Sequence, residues 1–243
     1  MDGRDGHRTL EALGLADVPR DHPLTCPGTW PTDSGLLDGD LLLPQDQLTF
    51  PTARRSWRSA PTPAPANHKL RESRTSSPIP MVKARVTGID VGVSGHVSRM
   101  GYVSASPVND PGVIREFFLI WLDDDQLAAV DATEPNVDRV RLPASEVEIA
   151  FEDGGRAPET FVHVNRHGVP HNGDAAPHSH PGQHALITEL LRGSAELRRL
   201  LGDTPEKFCA RARADARLCR RGTRLFAQEG LVTRSGLEHL GVR

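Results

Sequence analysis

The chain has 243 residues, enough for one good core and a small second one, with a formal net charge of −3 at pH 7 and a sequence pI near 6.4. That balance excludes an overall nucleic-acid or membrane-surface character, and no apolar run approaches the roughly 18 residues of a membrane-spanning helix. Only Lys69, Lys83 and Lys207 are lysines, so 26 of the 29 basic residues are arginine, a bias that fits a GC-rich bacterial genome.

Residues 1–54 read as a proline-rich, partly irregular segment, since 11 of the 20 prolines fall in the first 80 positions. Leu36-Leu37 and Leu41-Leu42-Leu43 flank Asp38-Gly39, a pattern that allows a small hairpin inside that stretch. From Met81 the character changes. Met81 to Val86 alternates as a half-buried strand does, and Ile89 to Val91 continues it past Gly88. His96 to Val103 is the next predicted strand, followed by a turn at Asn109-Asp110-Pro111-Gly112. Phe117 to Leu122 reads as a buried strand. Asp123 to Thr133 reads as a helix, with Asp123 as N-cap and Gln126 in the capping-box position. Val137 to Leu142, Val147 to Phe151 and Thr160 to Val164 complete the strands. The sum is an α+β arrangement, a small mixed sheet closing towards a barrel.

Residues 166–182 form a His/Gly/Pro-rich linker, and residues 183–243 a helical C-terminal extension. Gln183 to Leu191 reads as one helix, and Ser194 caps a short one ending near Leu201. Thr204-Pro205-Glu206 starts a long one, with Phe208, Ala212, Cys219 and Phe226 as its apolar stripe and Gly230 as its stop. Cys26, Cys209 and Cys219 are an odd set without metal-ligand spacing. Cys209 and Cys219, ten residues apart on the predicted helix, stand roughly 15 Å from each other and cannot bridge. No charged-then-apolar signal segment opens the sequence, so a reducing cytoplasm is the expected compartment.

Glu134 is the candidate catalytic residue. Pro135 lacks a backbone donor and turns Glu134 away from helical angles, so the helix stops at a corner leading into the next strand. A carboxylate there is either a solvated helix-end group or, between the apolar walls of Phe117, Phe118 and Trp121, a general base whose pKa burial would raise. Six histidines from His163 to His184 suggest metal binding, but their spacing matches no zinc motif, and a solvated linker is the simpler reading. Arg213, Arg217, Arg220 and Arg224 fall on one face of the predicted long helix. With no aromatic residue between them they read as a solvated face rather than a nucleic-acid track. Ser94 and His96 are close in sequence, but no nucleophile-elbow motif surrounds them, and no phosphate-binding or dinucleotide loop is present.

The stretch Val130-Asp131-Ala132-Thr133-Glu134-Pro135, with Arg139 after it, resembles the gamma-glutamylcyclotransferase-like superfamily, and the resemblance spans about residues 55–165. In that family a helix ends in a pattern close to L-D-x-x-E-G/P before a strand, and its glutamate is the acid/base, matched here by Glu134. The resemblance implies a small-molecule gamma-glutamyl substrate and release of 5-oxoproline, with neither metal nor cofactor. Ring closure is intramolecular, so orientation supplies much of the acceleration. The family's glycine loop, which holds the substrate carboxylate, has its counterpart at Trp57-Arg58-Ser59-Ala60. Ser59 fits; Arg58 stands where glycine is expected, Ala60 where Asn or Leu would be, and Val137 near the place of the family's tyrosine. Arg58, Ser59, Ala60 and Arg139 are thus the implied substrate contacts. A relative without catalysis, binding a small molecule, a protein or nucleic acid, is the alternative.

Overall fold

The computed structural model describes residues 8–44, 46, 77–133, 136–155, 157, 160–171 and 182–240. Three short strands open it: β1 (Arg8–Thr9), β2 (Gly35–Asp38) and β3 (Leu41–Pro44). β2 and β3 form the hairpin allowed by the leucine pattern, with Gly39 at φ 56° and Asp40 as its two-residue loop. Two long strands follow, β4 (Ile79–Val97) and β5 (Val103–Ile120), paired antiparallel along most of their length. β2 adds to the start of β4 through Gly35 and Met81.

The hairpin between β4 and β5 lies where the sequence predicted a strand from His96 to Val103. Ser98 N donates to Tyr102 O (2.8 Å) and Gly101 N to Ser98 O (3.0 Å), with Gly101 at φ 90°, a conformation open to glycine at little cost. Asn109 to Gly112, predicted as a turn, instead lies within β5. The register steps between Thr87 and Gly88, leaving residues 111–113 without partners on β4. Pro111, which cannot donate to a ladder, sits in that bulge.

Helix α1 (Asp124–Thr133) begins at a reciprocal capping box: Gln126 N donates to Asp123 Oδ1 (2.8 Å) and Asp123 N to Gln126 Oε1 (2.9 Å). Strands β6 (Val137–Leu142), β7 (Glu148–Phe151), β8 (Thr160–Asn165) and β9 (Val169–Pro170) come next. β7 pairs with β4, and β6 with β8 in a separate ribbon. Every pairing among the described residues is antiparallel and no barrel closes among them, so the fold is α+β.

Four helices follow: α2 (Gln183–Gly193), α3 (Ala195–Leu201), α4 (Pro205–Ala214) and α5 (Ala216–Gln228). The long helix expected after Thr204 is two. Asp215 N still bonds to Arg211 O (3.2 Å), while its carboxylate accepts from Arg217 N (2.8 Å) and caps a new helix. A short acid that captures backbone N–H groups competes with helix continuation. The predicted stripe survives the break, since Phe208, Ala212, Cys219 and Phe226 are all buried against Val93, Val97 and Val103 of the β4–β5 hairpin. The three cysteines are buried.

After α5 the chain turns back to the sheet through β10 (Val232–Thr233), which pairs with β9. Ser235 O accepts from Asn109 N (2.8 Å), and Leu237 is buried in the core formed by Val86, Trp121, Val140 and Val162. A third core joins Leu37, Met81 and Ile120 of the sheet to Leu127 and Val130 of α1. No helix among the described residues is long and apolar enough to cross a membrane.

Candidate functional site

The β6–β8 ribbon has two unlike faces because successive side chains alternate. Val140, Leu142, Val162 and Val164 are buried in the sheet core. Arg139 stands opposite His163 in register, and Phe161 and Asn165 occupy the same alternate positions of β8 as His163. The last turns of α1 bring Asp131 onto this face. Its Oδ2 accepts from Arg139 Nη1 (2.6 Å) and its Oδ1 lies 3.0 Å from His163 Nε2. The Arg139 guanidinium is 5.7 Å from the centre of the Phe161 ring, a cation–π arrangement. The side chains are graded in exposure: His163 10 %, Arg139 26 % and Asp131 39 %. Arginine has five N–H donors, and among the described residues Arg139 commits one group, Nη1, to Asp131. Its other donors can take a planar anion such as a carboxylate, with Asp131 fixing the guanidinium in advance.

A second polar cluster lies at the Asn165 end of β8. β4 bulges at Ser94, Gly95 and His96, opposite Ser104. Gly95 N donates to Gly168 O (2.7 Å), and a Cβ on Gly95 would stand 2.9 Å from that same oxygen and closer still to His167 O. Only a residue without a side chain lets the β8–β9 turn rest there. The contact sets Asn165 beside the bulge. Asn165 Nδ2 is 2.5 Å from Ser94 Oγ and 3.0 Å from His96 Nδ1, and Ser94 Oγ itself is hydrogen-bonded to His96 Nδ1. Asn165 Oδ1 accepts from His167 N (2.7 Å), which orients the amide.

His96 Nδ1 therefore faces two donors and carries the lone pair, leaving the proton on Nε2. Burial, and then the neighbouring His167 at 5.6 Å between ring centres, push the His96 pKa down to about 4. His167 is lowered too, by burial and then by the positive charge of Arg166. The turn ends on Asn136: Arg166 N donates to Asn136 O (3.0 Å), and His167 Nε2 is 3.3 Å from Asn136 Oδ1. One polar cluster thus holds the start of β6 while the other holds Arg139 three residues later.

Of the residues singled out in the sequence, Arg139 stands in this site. Glu134, Arg58, Ser59 and Ala60 lie outside the described residues, as do His178 and His180. Sequence reasoning did not single out Asp131 and His163 as partners of Arg139, nor Asn165 at all. The available signal was the spacing Phe161, His163, Asn165 on a strand whose other face is valine. Ser94 and His96 do touch, but Ser94 is 0 % exposed and offers no surface to a substrate, so the pair is a buried network and not a nucleophile. The arginine row is divided: Arg213, on α4, donates to Asp21 O (3.2 Å), and Arg217, on α5, pairs with Asp215. Among the described residues no group of three or more His, Cys, Asp or Glu side chains could hold a metal ion.

No protein-family model matches the chain, and no curated protein does. A solution structure of an Arabidopsis thaliana protein is similar over 48 % of this chain and 74 % of its own, at 15 % identity and a TM-score of 0.34. A likeness of that size carries no argument about fold family or chemistry.

Proposed function

We propose that the chain is a gamma-glutamylcyclotransferase-like enzyme whose site is the corner between α1 and β6. The observation that carries the reading is Arg139: half-buried, held by Asp131 and paired across the ribbon with His163, five residues after Glu134. Arg139 is the carboxylate receptor in this reading, with Arg58, Ser59 and Ala60 as the further substrate contacts implied by the resemblance.

A gamma-glutamyl amine would enter with its alpha-ammonium towards Glu134. Glu134 takes a proton from that ammonium, and the freed amine attacks the gamma-carbonyl carbon to close a five-membered ring. As the tetrahedral intermediate collapses, the carbon–nitrogen bond to the leaving amine breaks, Glu134 returns its proton to that nitrogen, and the second proton lost by the ring nitrogen passes to the released amine, which leaves as an ammonium. The products are 5-oxoproline and the released amine. Holding both reacting groups on one bound molecule supplies much of the rate, and the general acid/base about 10²–10⁴-fold. Because Arg58 replaces the glycine expected in the carboxylate loop, the second reading is a relative that binds the same anionic ligand without turnover.

The test is 5-oxoproline release from a panel of gamma-glutamyl amines and peptides, with Glu134→Gln and Arg139→Met in parallel. The enzyme reading expects release by the wild type, loss of at least about 10²-fold in kcat for Glu134→Gln, and a KM raised about tenfold to a hundredfold for Arg139→Met. Silence across the panel, with binding that depends on Arg139, would leave the second reading.

A further inference from the structure

We infer that Ser94, His96 and Asn165 are positioning residues for the candidate site, a buried brace that fixes the β8–β9 turn and through it the start of β6. The inference rests on the functional reading above for its catalytic consequence and on geometry alone for the brace itself.

The three side chains are 0 %, 7 % and 3 % exposed, and their donors and acceptors answer one another. Apolar side chains of similar volume could fill such a place without any matching of hydrogen bonds, so a satisfied polar cluster specifies one arrangement rather than adding bulk. The arrangement specified is that of the turn. Asn165 reaches Ser94 and His96 with its Nδ2 and holds His167 N with its Oδ1, so one amide ties the β4 bulge to the turn. The bulge makes a second tie through Gly95 N and Gly168 O. The turn then spends Arg166 N and the His167 ring on Asn136.

Asn136 is the residue that follows Glu134-Pro135, and His163 lies two positions before Asn165 on β8. Loosening Asn165 therefore frees Asn136, where β6 begins. Arg139 keeps its own anchor, Asp131, from the helix side. The brace should accordingly act on turnover and leave ligand binding to Arg139 largely alone, because a displacement on the order of 1 Å near the chemistry can cost about 10²-fold in rate.

The experiment compares Asn165→Leu, which removes every donor and acceptor at similar volume, with His96→Asn, which keeps an acceptor near the position of Nδ1. Ser94→Ala serves as a milder variant if Asn165→Leu does not fold. Two quantities are read at neutral pH on folded protein: amide hydrogen exchange at Arg166 and His167 by NMR, and steady-state 5-oxoproline release. Asn165→Leu should exchange at least tenfold faster at both amides, relative to Ile187 in the helical core, and should lose at least tenfold in kcat with KM within about twofold. Ser94→Ala should shift both in the same direction by less, and His96→Asn should stay near the wild type. Unchanged exchange at Arg166 and His167 overturns the brace. Faster exchange with unchanged kcat in an active wild type overturns its link to catalysis. If the wild type releases no 5-oxoproline from any substrate, the functional reading fails by itself, and the exchange data still decide the brace.

Discussion

His96→Asn tests the buried cluster through stability as a function of pH. In the unfolded chain the imidazole titrates near 6.5, while in the fold burial and His167 lower it to about 4. Between those values the unfolded chain binds a proton that the folded chain refuses, so acidification favours unfolding. The stability concerned is fully present above pH 6.5 and is lost as the pH falls towards 4. One pKa unit corresponds to about 1.36 kcal/mol, so the single group costs about 2 kcal/mol by pH 5 and about 3 kcal/mol by pH 4. Urea unfolding at pH 7.5 and pH 5 measures it. The wild type should lose about 2 kcal/mol more than His96→Asn over that interval. Asp90 and Asp138, lowered chiefly by hydrogen bonds to Arg115 and Arg166, add acid sensitivity of their own, but both proteins share it. The His167 shift comes from burial and Arg166 and also survives the substitution. Parallel losses in the two proteins would refute the reasoning, because His96 would then titrate as an exposed histidine does.

Other sites give simpler outcomes. Ser106 Oγ is buried without a hydrogen-bond partner among the described residues, so Ser106→Ala should stabilise by about 1 kcal/mol in chemical denaturation; a loss would mean the hydroxyl is satisfied. Gly95→Ala would drive a methyl group into the turn carbonyls and should cost about 2 kcal/mol or more, with faster exchange at His167; a neutral effect would show that the turn yields freely. Asp215→Ala removes the cap that starts α5 and should lower stability by about 1 kcal/mol, or about 2–4 °C in Tm by calorimetry. If Asp215→Ala raised Tm instead, the break between α4 and α5 would be a strain on the fold and not a support.

The parts of the fold that sequence reasoning reached are those where one local rule acts alone. The α1 cap, the β6 strand, the Leu36–Leu43 hairpin and the apolar stripe of Phe208 and Phe226 each follow from a periodicity or a capping residue. Errors came where two rules competed. Asn109-Asp110-Pro111-Gly112 carries strong turn chemistry, yet the long pairing with β4 absorbs it as a bulge. Asp215 sits amid helix-forming neighbours, and its appetite for backbone N–H groups divides them. In the site, Arg139 could be chosen from its place after Glu134. Asp131 and His163 could not be assigned to it, because their meeting depends on how α1 packs over a ribbon formed 32 residues later, a distance no spacing rule covers. Asn165 joins Ser94 across 71 residues and was equally hidden.

The return of the chain after α5 bears on the order in which this protein can be made. Leu237, 1 % exposed, fills a core whose other buried members all come before residue 165, and Ser235 bonds to Asn109 in the middle of β5. During synthesis those residues emerge some 70 residues before the side chain that seals them, and they must wait with an apolar gap facing water or a chaperone. The helices are made within that interval and can settle on the hairpin at Val93 and Val97 while the far side stays open. Ribosome-bound chains halted before and after Leu237 clears the exit should therefore differ sharply in protease resistance of the sheet, and far less in that of the helices.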